Sequence, residues 1–261
     1  MASKDFNKLL KETENKRNLM TKKMKTEIRN LYKEIHKDYE KKLLKASQGT
    51  LNEKFLHNVK KELEAEIKRL NNEIYKTTKK HIEGLTSELT NSQLDIWLSV
   101  DSKYSLGLEK EFRSMFSKIN QDVVAEVLNG SLYKDRLGLS ERLWIDGKLM
   151  GSDVKNIIAE GIGKKESTFD VAKRLEGYLN PNTYSSTIYE ASKKRIEFNS
   201  YRLAHTSISH AYQQVVRRSA KKNPFVEGIR WRSVNQSRTC QLCRDRDGRL
   251  YTVENLPLDH P

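Results

Sequence analysis

The sequence predicts a mostly α protein with a small C-terminal β-hairpin module (α+β), in which a long N-terminal helical hairpin precedes a compact helical domain. Three observations predict it. Apolar residues recur at steps of three or four through the first part of the chain, as one face of a helix requires. Glycines then become frequent, at Gly130, Gly138, Gly147, Gly151, Gly161, Gly163 and Gly177, between short segments with helix signals. After Pro224 the spacing turns to period two, the mark of a half-buried strand. The domain boundary is expected between 128 and 129. Residues 1–128 hold long basic helices, as a helical hairpin or coiled-coil region. Residues 129–261 hold helices over 139–221 and a β-hairpin with a Cys-x-x-Cys knuckle over 228–261.

The first helix is expected over 4–45, striped by Met24, Ile28, Leu31, Ile35 and Tyr39. Ser47-Gln48-Gly49-Thr50 breaks it. A second run carries Val59, Leu63, Ile67, Leu70 and Ile74 on one stripe. Two such helices with a short polar break predict an antiparallel hairpin; paired coiled-coil segments for oligomerisation are the alternative. A third stretch, about 82–128, contains Trp97, Phe112, Met115, Phe116, Val123, Val124 and Val127, and stops at Asn129-Gly130. Short helices are expected over 139–146, 152–160 and 167–179. The last has Ser167 as N-cap and Asp170 at the acidic third position of a capping box. A longer helix over 188–221 ends before Asn223-Pro224. Gly228 to Val234 alternates apolar and basic residues, and Leu250-Tyr251-Thr252-Val253 follows Asp247-Gly248, a hairpin-turn signal.

Composition narrows the function. Only 36% of the 261 residues are hydrophobic and 32% are charged, with mean hydropathy −0.79; long helices with wide solvated faces give such values. The net charge is +14 and the isoelectric point near 9.6, which favours anionic partners such as nucleic acid. No apolar run approaches the roughly 18 residues of a membrane span, so no membrane partner is expected. Met1 to Phe6 has no apolar core and no cleavage pattern, unlike a secretory signal.

The only two cysteines, Cys240 and Cys243, have two residues between them. A Cys-x-x-Cys turn aims two thiolates at one point, as tetrahedral zinc requires. His260, separated from Cys243 by sixteen residues, supplies a third ligand if the hairpin returns. The fourth would come from His205, His210 or residues past Pro261. The same pair is not placed to open a helix after a strand, where a thiolate is stabilised, which disfavours a redox role. The bland alternative is two reduced thiols packed beneath the hairpin. His205 and His210 are five apart and off a common helical face, so they read as surface or packing residues. His36, His57 and His81 read as solvated. Gly161-Ile162-Gly163-Lys164 lacks the phosphate-loop spacing and reads as a joint between helices. No Gly-x-Ser-x-Gly elbow or convincing carboxylate pair appears, and no enzyme activity is expected.

Residues 201–261 hold 11 Lys/Arg against 5 Asp/Glu. Arg217, Arg218, Lys221, Lys222, Arg230, Arg232, Arg238, Arg244 and Arg246 are the candidate nucleic-acid contacts, suited to sequence-independent phosphate binding. The first fifty residues, with 14 Lys/Arg against 7 Asp/Glu, read instead as a solvated helix face.

From about residue 120 onward the pattern resembles the phage head morphogenesis family, the Mu F-like minor head proteins of tailed bacteriophages. The matching pieces stand in order: Leu139-Ser140-Glu141-Arg142-Leu143-Trp144; Val154 to Ile162 before Ser167 and Val171-Ala172-Lys173-Arg174-Leu175; Arg202-Leu203-Ala204-His205-Thr206 and Ala211; then Gly228 to Trp231, Ser237-Arg238-Thr239-Cys240, Cys243, Asp247-Gly248 and His260-Pro261. The resemblance implies a non-enzymatic minor capsid protein inside the head near the portal. Head assembly, genome packaging or ejection would be its work. The portal protein, double-stranded DNA and scaffold or major capsid protein would be its partners, the host cytoplasm its place during assembly, and a Cys/His cluster its metal site. The family carries a glutamate after the threonine where this chain has Ser207, and continues past His-Pro into further cysteines. Two other readings stand beside it. Cys-x-x-Cys with Asp259-His260-Pro261 also resembles metal-dependent His-Asn-His nucleases, truncated at the C-terminus. The N-terminal helices also suit a coiled-coil adaptor for an acidic partner.

Overall fold

The computed structural model describes residues 2–46, 53–164, 166–167, 170–171, 174, 189–233 and 239–258. Within its helices, side chains are described except at 2–7, 9–10, 36, 39–46, 53–57, 59–60 and 189–199. The chain is mostly α, with one small antiparallel sheet near the C-terminus. The helices are α1 (Ala2–Ala46), α2 (Glu53–Tyr104), α3 (Glu109–Phe116), α4 (Ile119–Asn129), α5 (Leu139–Gly163), α6 (Tyr189–Lys222) and α7 (Gln241–Arg246). The strands are β1 (Ile229–Arg230) and β2 (Leu250–Tyr251). Among the described residues no helix is long and apolar enough to cross a membrane.

Two compact units divide the chain, each assembled from separated segments. One comprises Met1–Arg17, Ile82–Glu126 and Ile208–Pro261; the other comprises Asn18–His81 and Val127–Ser207.

In the second unit most of the predicted stripes is buried, Met24, Ile28 and Ile35 on α1 and Leu63, Ile67, Leu70 and Ile74 on α2, while Leu31 is half-buried and its neighbour Tyr32 is buried instead. Tyr39 and Val59 fall outside the described side chains. Arg69 reaches Asp38 at 3.0 Å, and His81 Nε2 lies 3.2 Å from Glu27 Oε2. In the first unit Lys16 faces Glu88 at 3.8 Å. From Asp38–Arg69 to Glu27–His81 the α1 numbers fall as the α2 numbers rise, so within the second unit the two helices run antiparallel. His81 is buried at 6% exposure, not solvated as the sequence predicts. Its stripe belongs to the inner face of α2, and a carboxylate meets it there.

The expected start of a new element near residue 82 is absent, because nothing between Ile74 and His81 interrupts the helix and a single glycine such as Gly84 is tolerated. α2 stops instead at Ser105–Leu108, where Asp101 Oδ1 accepts from the Leu108 amide at 2.8 Å. Gly130 ends α4 as expected. Its φ is +79°, and an added Cβ would sit 2.3 Å from the Leu137 backbone, so only glycine fits.

The two short helices expected over 139–146 and 152–160 are one helix of 25 residues. Gly147 is no breaker. It lies on the buried face with Leu143, Met150 and Val154, and a Cβ there would stand 2.3 Å from Asn71 Nδ2 and 3.0 Å from Ile67. The glycine lets α5 approach α2 closely, and tertiary packing overrides its weak helix propensity. The segment after α5 is the expected joint. The Gly161 carbonyl accepts from the Glu166 amide, and Arg174 bridges Glu160 and Glu166 at 2.8 and 2.9 Å. Ser167 Oγ accepts from the Asp170 amide and donates to Asp170 Oδ2, the predicted cap; most of the helix it would start lies outside the described residues.

Candidate nucleic-acid interface

The basic C-terminal module is built on the end of α6. Asn223 stops the helix by accepting from the Phe225 amide at 2.9 Å, and the chain turns through Pro224 into β1. Ile229 pairs with Tyr251 and Arg230 with Leu250. Trp231 extends the ladder: its amide donates to the Arg249 carbonyl, and its carbonyl accepts from Gly248, both at 2.9 Å. The strands are shorter than the predicted 228–234 and 250–253. Two strands with no further strand beside them among the described residues have little to hold a longer ladder.

Asp247-Gly248 does not join the strands as a two-residue hairpin loop. It forms the centre of a turn from Arg246 to Arg249, closed at 3.1 Å. Asp247 has ψ 131° and Gly248 φ +76°. This is a type II turn, which needs positive φ only at its third residue. Asp247 Oδ1 accepts from the Ser233 amide at 2.8 Å and holds the turn against β1.

The cysteines lie in the connection between the strands, as expected, but not in a bare loop. Cys240 is the N-cap of α7, a helix of six residues, and its sulfur accepts from the Cys243 amide at 3.4 Å. That corrects the expectation that the pair does not open a helix. The Cys243 amide is the main cause holding the Cys240 thiol below its ordinary pKa, with the Leu242 amide and the Arg246 charge adding to it. Amide–sulfur bonding of this kind suits a thiolate ligand. The pair would supply two of the four ligands that zinc requires. His260 lies outside the described residues, and among those described no three Cys, His, Asp or Glu side chains gather as a metal site. His205 sits against the Tyr201 ring at 5.9 Å, and His210 is buried, both as packing residues.

The nine candidate nucleic-acid contacts separate by environment. Arg217 donates to the carbonyls of Val253 and Glu254, both at 2.9 Å. Gln213 beside it donates to the Pro257 carbonyl, while Val253 and Leu256 are buried. Arg217 therefore docks the C-terminal segment onto α6. Arg218 forms ion pairs with Asp122 at 3.0 Å and with Glu126, one turn apart on α4. Arg246 lies 5.2 Å over the Trp231 ring and donates to the Leu258 carbonyl. These three are committed to the fold. Lys221, Lys222, Arg230, Arg232 and Arg244 are exposed and form no ion pair with a described acidic side chain. Arg238 lies outside the described residues. Arg249 is exposed in the same way; sequence reasoning left it out, though it stands beside the β2 residues.

Strand alternation divides the hairpin into two faces. Ile229, Trp231 and Tyr251 share one, where the two rings meet edge-on at 6.5 Å beneath Arg246. Arg230, Arg232 and Leu250 share the other, and all three are exposed, Leu250 by 67%. Sequence reasoning missed Leu250, although the period-two spacing signals its face.

No family model, curated protein or solved structure matches the chain.

Proposed function

We propose that this protein is a minor capsid protein of the head-morphogenesis type, acting inside a phage head near the portal in assembly and in genome packaging or ejection. It touches double-stranded DNA without reading sequence. The observation that carries the reading is the exposed basic set on the C-terminal module: Lys221, Lys222, Arg230, Arg232, Arg244 and Arg249 meet no described acid. Charges that serve the fold are paired, as Arg218 is. Unpaired ones gain most from phosphate, through release of condensed counterions. The ordered series of head-protein motifs supports the capsid setting. In this reading Cys240, Cys243 and His260 hold zinc, which pins the knuckle rather than catalysing a reaction.

Binding of the full chain to random-sequence duplexes tests it. Affinity is expected to fall steeply with salt and to ignore sequence. Replacing Arg230 and Arg232 by Ala should flatten the log–log salt dependence by about 2, while Arg69→Ala should leave it unchanged. Salt-independent or sequence-specific binding contradicts the phosphate reading, and absence of the protein from purified heads removes the capsid assignment.

A further inference from the structure

The hairpin face of Arg230, Arg232 and Leu250 presents more than charge. Leu250 is the most exposed large apolar side chain of the described residues, at 67%. It stands directly across the ladder from Arg230, with Arg232 on the same face by alternation. An apolar side chain serves no purpose in phosphate contact, which needs only donors and positive charge. Its placement beside exposed arginines that meet no described acid has a different use. Arginines hold a hairpin on the backbone wall of a groove, and the residue beside them then faces the bases. Apolar side chains so placed press between base steps and partly unstack them.

We propose that this face of the β1–β2 hairpin enters a groove of duplex DNA, with Arg230 and Arg232 on the phosphates and Leu250 against a base step as an apolar wedge. The inference rests on the nucleic-acid reading above. It adds a division of labour: the arginines supply salt-dependent affinity, and Leu250 supplies a salt-independent part together with local distortion of the duplex. The opposite face cannot do this, since Trp231 and Tyr251 pack on each other and Arg246 covers Trp231. No base recognition is needed, because every sequence offers a stack to open. Flexible pyrimidine–purine steps open most easily and should be favoured modestly.

Duplexes carrying 2-aminopurine report unstacking by a rise in fluorescence, and the full chain provides the test. Wild-type protein is expected to bind and raise the fluorescence. Leu250→Ala should weaken binding roughly tenfold, the scale of burying one leucine, equally at every salt concentration, and should abolish the fluorescence rise. Leu250→Phe should retain both. Leu250 is exposed, so these variants leave packing untouched. Arg230→Ala should reduce the salt slope by about 1. If the protein binds DNA but Leu250→Ala changes neither affinity nor fluorescence, the wedge is wrong and the phosphate reading stands. If no duplex binds at all, both fall. Leu250-dependent binding to phosphatidylglycerol vesicles without DNA distortion would assign the face to a lipid surface and overturn the proposal.

Discussion

Arg69 reaches across the α1/α2 hairpin to Asp38, and Lys16 stands opposite Glu88. In the C-terminal module Arg230, Arg232, Arg244 and Arg249 point to solvent with no described acid beside them. Both regions carry excess positive charge. In the first it decorates helices held by a buried stripe of Ile, Leu and Met. In the second there is little apolar core, and the described arginines either hold the fold together or meet no described acid. Net charge is therefore a poor guide to where an anion would bind; the pairing state of each side chain is the better one.

The comparison yields expected effects of different size. The largest comes from the hairpin stripe. Leu70 is 1% exposed, and Leu70→Ala should cost about 2–5 kcal/mol, the transfer and cavity terms of a buried leucine. Urea unfolding followed by circular dichroism measures it. A loss far below this would mean the stripe does not hold the helices. Next comes Arg217→Ala, which leaves the Val253 and Glu254 carbonyls without their charged donor. A loss of roughly 1.5–3 kcal/mol is expected, on the scale of hydrogen bonds to charged groups. Hydrogen exchange should speed up over 253–258 and leave α2 unchanged. Uniform loosening of the molecule would erase the distinction between the regions. The smallest effect on global unfolding should come from zinc removal. Elemental analysis of fresh, reduced protein should approach one zinc per chain. Chelation should raise exchange over 229–251 without moving the main unfolding transition. Metal-free fresh protein would remove zinc from the reading.

Helices were legible because their signals are local. The steps from Met24 to Ile35, the stop at Gly130 and the break at Pro224 each act within one or two turns. What the sequence could not show were partners far along the chain. His81 reads as solvated until Glu27 stands beside it. Gly147 reads as a breaker until Asn71 occupies the place of its Cβ. Arg217 and Arg218 look no different from Lys221 and Lys222, because Val253, Asp122 and Glu126 decide which of them is held. The Cys240 environment was misjudged for a related reason. A single-turn helix has too few residues to show a period, and only the Cys243 amide on the sulfur reveals it.

The segmented make-up of the first unit sets a timetable for synthesis. Arg17 lies over the Tyr212 ring at 4.9 Å, so Arg17 waits for a partner made only after α1 to α5. Domains that close as continuous stretches begin folding while the ribosome still works. This unit, drawn from Met1–Arg17, Ile82–Glu126 and Ile208–Pro261, has its third part supplied only after both segments of the other unit. Its N-terminal helix would leave the ribosome with Thr13, buried in the finished protein, still in water. That wait exposes the nascent chain to proteases and to premature pairing with its own copies. A nascent-chain protection assay should show the unit becoming resistant late and in one step.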